Sequence, residues 1–174
     1  MMNLYLIGYR GSGKTTVAAE LARLLGWKWL DADDEIERRA GKSIKEIFAT
    51  WGEPAFRDLE VAVIADLSKL TSHVIALGGG AVLREESRHD IRNFGKVVWL
   101  EAAAEILFQR ISGDACTAER RPNLTAAGGL AEIERLLALR APVYAACADL
   151  TLAAGGATPT ELATQIADWL RMQG

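Results

Sequence analysis

Residues 8–15 read GYRGSGKT and match the pattern G-x-x-x-x-G-K-[ST]. Nothing else in the chain restricts the fold as much. The short apolar run Leu4–Ile7 leads into it. Thr15–Leu25 follows, with Val17, Leu21, Leu24 and Leu25 on one helical face and Gly26 as a stop. A glycine-rich turn between a strand and a helix lets successive backbone N–H groups converge on phosphate oxygens. The helix that follows aims its positive end at the same point. Lys14 then supplies a charge for the outer phosphates, and Thr15 offers a hydroxyl to magnesium. Binding of a nucleoside triphosphate is the expected consequence.

The rest of the chain alternates in the same way. Trp27–Leu30 reads as a second strand ending at Asp31. Ser43 and Glu46 have capping-box spacing and open a helix carrying Ile44, Ile47 and Phe48. A further helix starts near Pro54 and runs to Leu70. His73–Leu77 is a third strand, ending at Gly78-Gly79-Gly80, and Val97–Leu100 is a fourth. Ala103–Ile111 is helical. The small, polar stretch 112–129 predicts a mobile loop. Leu130–Ala145 is helical, and Leu150–Leu152 is a short fifth strand. Thr158-Pro159-Thr160-Glu161 is a second capping box, which opens a last helix through Trp169. Strands separated by helices imply a parallel sheet covered on both faces. Ligands of such sheets gather at the carboxyl ends of the strands. Three segments qualify: the glycine loop, Asp31–Asp33 and the glycine triplet.

Composition narrows the partners. Against 23 acidic residues stand 20 lysines and arginines, a net charge of −3, and the isoelectric point is about 5.5. A nucleic-acid binder needs a basic surface, so any phosphate site must be local. No apolar run reaches the ~18 residues that span a bilayer. The opening MMNLYLIGYRG carries no basic segment or apolar core of export-signal length. Cys116 and Cys147 are too few for a disulfide framework or a zinc site. A cytoplasmic chain acting on small molecules, a monomer without nucleic-acid or membrane partners, is the expectation.

Several residues outside the glycine loop carry chemistry. Asp31-Ala32-Asp33-Asp34-Glu35 could simply cap a helix. A magnesium site, however, needs an acid near Thr15. Asp31 is better placed for it than its competitor Glu101, because it closes the strand just after the glycine-loop helix. Arg57 lies three positions before Glu60, a spacing at which side chains touch; taken alone this is a surface ion pair of little consequence. Gly78-Gly79-Gly80 permits close backbone approach by a ligand, or is a flexible turn. Arg120-Arg121-Pro122 is either solvated loop charge or a source of an arginine that closes over phosphates.

Taken together, the sequence resembles the shikimate kinase family, small P-loop kinases of the nucleoside monophosphate kinase type. The resemblance rests on GYRGSGKTT (8–16), LDADDEIE (30–37), SIKEIFATWGEPAFRDLE (43–60), ALGGGAV (76–82), RRPNL (120–124) and LRAPVYA (139–145). It spans nearly the whole chain. It implies a three-layer α/β/α P-loop kinase with a five-stranded parallel sheet. It further implies one domain over residues 1–174, with a substrate-binding segment at 31–60 and a lid at about 112–128. The implied reaction is ATP-dependent phosphorylation of shikimate to shikimate 3-phosphate, in the route to aromatic amino acids.

The implied roles follow residue by residue. Gly11, Ser12, Gly13, Lys14, Thr15 and Thr16 would wrap the ATP phosphates. Thr15 would ligate Mg2+, with Asp31 held nearby through water. Asp33 would accept hydrogen bonds from the ring hydroxyls, first as orienter and second as base. Arg57 and Arg140 would grip the carboxylate, helped by the backbone of Gly79 and Gly80. Phe48 and Phe56 would wall the pocket. Arg121 would be the lid arginine acting in catalysis, although Arg120 is adjacent. Arg110 and Pro159 would flank the adenine. The lid is longer and more polar than in the most compact members, and it carries Cys116.

Two rival readings share part of this pattern. Another small-molecule P-loop kinase, acting on gluconate or a nucleoside monophosphate, would share the fold and the loop. A nucleotide acceptor would call for more base-stacking and phosphate-gripping residues than one acid and two arginines. A nucleotide-binding module without catalysis would be expected to lack some of Lys14, Thr15, Asp31, Asp33 and Arg57, all of which are present. A guanine nucleotide is disfavoured, because no N-K-x-D motif occurs.

Overall fold

A computed structural model of the protein describes residues 2–114 and 128–173. Five strands, β1 (Asn3–Ile7), β2 (Lys28–Asp31), β3 (His73–Ala76), β4 (Gly95–Glu101) and β5 (Leu150–Ala153), form one sheet in the order β2-β3-β1-β4-β5. All four pairings are parallel. β1 therefore sits at the centre, between β3 and β4. Its register sets Leu6 beside Ala76 on one side and Ile7 beside Trp99 on the other.

The helices are α1 (Lys14–Leu25), α2 (Ala32–Ala40), α3 (Ile44–Leu67), α4 (Glu85–Phe94), α5 (Ala104–Gly113), α6 (Gly129–Cys147) and α7 (Pro159–Arg171). Alternation along β1 decides what each covers. Leu4 and Leu6 face α1 and α7, packing with Val17, Leu21, Leu162 and Ile166. Tyr5 and Ile7 face the other way, onto α2, α3, α4 and α6, among Ile36, Phe56, Ile64 and Tyr144. A third cluster joins α5 to α6 around Tyr9, Leu107 and Ile133.

Three differences from the sequence reading have physical causes. β1 begins at Asn3, a polar residue that is nonetheless fully buried. Its side chain donates to the Leu70 carbonyl at 2.7 Å and accepts from the His73 N–H at 3.2 Å, so it is satisfied internally. α4 is missing from the sequence expectation because it is charged almost throughout and buries only Ser87 and Ile91. The helix after Pro54 ends at Leu67, short of the exposed Leu70. The two-helix reading of residues 43–70 nevertheless describes α3 well. Its axis is broken at Gly52, where φ is 82° and ψ is 171°. Pro54 sits just past the break, in the first turn of the second segment, where a missing N–H is harmless.

Candidate active site

The glycine loop emerges from the carboxyl end of β1 and closes on α1. Gly13 caps that helix at φ 92°, a backbone region open to glycine. Lys14 is 9% exposed, and its ammonium donates to the Gly8 and Tyr9 carbonyls at 2.8 and 2.9 Å. These bonds fold the side chain back over the loop, where a phosphate chain would run. Arg110 of α5 ties the loop to the end of β5, donating to the Gly11 carbonyl at 3.4 Å and the Ala154 carbonyl at 2.8 Å.

Of the two candidate acids, Asp31 is the one the fold brings to Thr15. Its Oδ2 accepts from the Thr15 hydroxyl at 2.6 Å, and its Oδ1 accepts from the Asp33 N–H at 2.9 Å. One carboxylate thus caps α2 and reaches Thr15. Burial raises its pKa above the usual carboxylate value, and the neighbouring Asp33 adds to that, against the opposing pull of the Thr15 bond. A nearby cation would favour the ionised form. Glu101, the competitor, is exposed at the end of β4. A hard divalent cation on a triphosphate takes few protein oxygens beside the phosphates. The adjoining Thr15 hydroxyl and Asp31 carboxylate fit that requirement.

A cavity of about 240 Å³ joins these parts: Lys14, Thr15, Asp31 and Asp33 line it together with Gly78 and Gly79. Arg10 and Asp114 also line it, and neither was singled out in the sequence. Arg10 holds a variable position of the loop motif, and Asp114 lies just past α5; no spacing rule marks either.

Gly79 and Gly80 are wedged between two guanidinium groups. A Cβ on Gly79 would stand 3.4 Å from an Arg140 nitrogen, and one on Gly80 would stand 2.3 Å from an Arg57 nitrogen. Both arginines are only 6% exposed. Arg57 bonds Glu60 at 2.6 Å and reaches Glu53 at 3.4 Å. It is therefore a buried pair, not the surface pair that the spacing alone suggests. The Phe48 and Phe56 rings pack 4.8 Å apart. Arg57 lies 5.1 Å from the Phe56 ring centre, and Arg140 lies 5.5 Å from that of Tyr9. The two arginines thus stand against the triplet, and the Phe48–Phe56 pair packs on the Arg57 side. Pro159 opens α7 at the first helical position, with Thr158 as its cap. Cys116, Arg120 and Arg121 lie outside the described residues, as does nearly all of the expected lid.

Changing Gly80 to alanine is expected to push Arg57 out of place, because 2.3 Å is far inside contact distance. Overpacking of this kind costs about 1–3 kcal/mol. Thermal melting should report it, together with weaker acceptor binding and unchanged nucleotide binding. Wild-type behaviour on all three measurements would mean that Arg57 relaxes freely.

A family model described as shikimate kinase matches residues 10–171. The chain belongs to the shikimate kinase family. A shikimate kinase of Rhodopirellula baltica is 46% identical over 94% of this chain and 88% of its own length. Another, of Symbiobacterium thermophilum, is 38% identical over 99% and 98%. A solved shikimate kinase from Acinetobacter baumannii, in complex with shikimate, superposes with a TM-score of 0.93 at 35% identity. It covers 99% of this chain and 94% of that one. The parallel five-stranded sheet and P-loop described above are those of this kinase family. Among the described residues, no helix is long and apolar enough to cross a membrane.

Proposed function

We propose that the chain transfers the γ-phosphoryl group of ATP to the 3-hydroxyl of shikimate, giving shikimate 3-phosphate. The observation that carries this reading is a cavity lined by unlike groups. The P-loop, Asp31 and Asp33 line it together with Gly78 and Gly79, while Arg57 and Arg140, outside that lining, stand against Gly80 and Gly79. A hydroxylated acid suits both the acids and the arginine-backed glycines. Its carboxylate suits planar two-point donors, which arginine gives and lysine does not. Its hydroxyls suit the Asp33 carboxylate as acceptor.

Phosphoryl transfer passes through a loose transition state, so positioning and charge neutralisation dominate. Gly11, Ser12, Gly13 and Thr16 present the loop backbone and helix start to the phosphates, and Lys14 supplies the mobile charge. Thr15, and Asp31 through water, would hold Mg2+, which would supply charge neutralisation to the phosphates. Asp33 orients the acceptor hydroxyls first and takes up a proton second. Gly79 and Gly80 donate from the backbone to the acceptor carboxylate, and Phe48 and Phe56 keep water from the ring. Arg110 and Pro159 border the adenine. Arg121, or its neighbour Arg120, closes on the phosphates from the lid. The enzyme works as a cytoplasmic monomer on small molecules, and its net charge of −3 disfavours a nucleic-acid partner.

An ADP-release assay with shikimate, gluconate and nucleoside monophosphates in parallel tests the reading. Only shikimate is expected to raise release well above the rate without acceptor. Faster release with gluconate or a nucleoside monophosphate would replace the acceptor, and no stimulation by any of them would leave a nucleotide binder.

A further inference from the structure

The glycine triplet has a complete hydrogen-bond account on its carbonyl side. Gly78 accepts from the Ala81 N–H at 3.1 Å, and Gly80 accepts from the Leu83 N–H at 3.1 Å. The middle carbonyl, of Gly79, accepts from the hydroxyl of Tyr144. All three glycines are buried. Among the described residues, none of their three N–H groups has an acceptor. Buried backbone donors are almost always paired, so these are available to an acceptor that a ligand would bring. The guanidinium groups of Arg57 and Arg140 stand against the same backbone.

Tyr144 is what holds the middle of this arrangement. It is fully buried, and its ring packs on Trp99 of β4 with centres 5.6 Å apart. Trp99 pairs in register with Ile7, the last residue before the P-loop. The hydroxyl is therefore fixed from the sheet side. Tyr144 also lies four residues after Arg140 on α6, so both project from one helical face. One helix delivers a cation beside Gly79 and a donor onto its carbonyl. The Gly79 carbonyl and the Gly80 N–H belong to one planar trans peptide and point in opposite directions. Holding the carbonyl toward α6 aims that N–H away from it.

We infer that Tyr144 is a positioning residue for the acceptor: its hydroxyl, donated to Gly79, fixes the peptide plane that turns the Gly80 N–H toward the acceptor carboxylate. It touches neither substrate. This inference rests on the acceptor reading given above. Its signature is selective, because the triplet serves the acceptor and the P-loop serves the nucleotide.

Steady-state kinetics of Y144F test it. The phenyl ring keeps its packing on Trp99, and only the donor is lost. The KM for shikimate is expected to rise about tenfold, equivalent to about 1.4 kcal/mol. The KM for ATP should stay within twofold, and circular dichroism should show the native spectrum. Replacing Tyr144 by p-aminophenylalanine, which keeps a donor in the same place, should restore the shikimate KM to within about threefold of wild type. C147A, on the same helix and in the same core cluster, loosens the packing without touching Gly79 and should leave both KM values unchanged. An unchanged shikimate KM in Y144F overturns the inference, as does a parallel rise for both substrates, an equal rise in C147A or failure of the amino analogue to restore binding. Wild-type enzyme without shikimate turnover overturns the acceptor reading itself, and the inference with it.

Discussion

Replacing Lys14 with alanine is expected to lower turnover by at least about a hundred- to a thousandfold, the loss typical of one donor aimed at developing charge. The ammonium rests on the Gly8 and Tyr9 carbonyls, one side-chain length from where β- and γ-phosphates would lie. On the proposed reading its flexible side chain follows the phosphoryl group as it moves. The core on either side of the sheet does not depend on it, since α1 is anchored by Val17, Ala18, Leu21 and Ala22. The variant should therefore melt within a few degrees of wild type. ADP release in the presence of shikimate is the measurement. A rate within tenfold of wild type would remove Lys14 from the chemistry.

Replacing Arg57 with alanine is expected to weaken acceptor binding far more than ATP binding. Truncating one partner of a desolvated charge pair costs about 2–5 kcal/mol, or roughly 30- to several-thousandfold in affinity. Two effects are mixed in this variant. The guanidinium also stands 2.6 Å from Glu60, whose side chain is only 2% exposed. Taking that cation away from a buried carboxylate destabilises the fold as well. The double variant Arg57→Ala/Glu60→Gln separates the two, because a neutral amide no longer needs the charge. Its stability should recover while its shikimate affinity stays low. Calorimetric titration with each substrate gives the answer, and equal losses for shikimate and ATP would make Arg57 a structural residue only.

Much of the architecture was legible in the residues because it is written locally. The P-loop motif, both capping boxes and the apolar runs of β1, β3 and β4 each specify their element within a few positions. The break of α3 was readable too, since Pro54 marks a new helix start just past Gly52. What escaped was set by tertiary contact. α4 has no apolar stripe and is held by Ile91 alone among its large side chains. The buried character of Arg57 depends on Gly80 lying against it, 23 positions away in sequence. Spacing showed the partner Glu60 but not the burial. Tyr144 carries no signal in the sequence, because its partner is a backbone carbonyl 65 residues distant, and no side-chain pattern encodes that. Strand order favours Asp31 over Glu101 as the acid near Thr15, and Asp31 is the one that bonds the Thr15 hydroxyl.

The position of β1 beside β3 has one more consequence. The phosphate loop leaves the first of these strands and the glycine triplet leaves the second, so on the proposed reading donor and anchor stand on neighbouring strands. Parallel strands are spaced by their ladder bonds at about 4.8 Å, and neither can slide without breaking them. The sheet thus works as a calliper with a fixed jaw width. On that reading, an acid whose hydroxyl sits one carbon nearer to or farther from its carboxylate should be a much poorer acceptor.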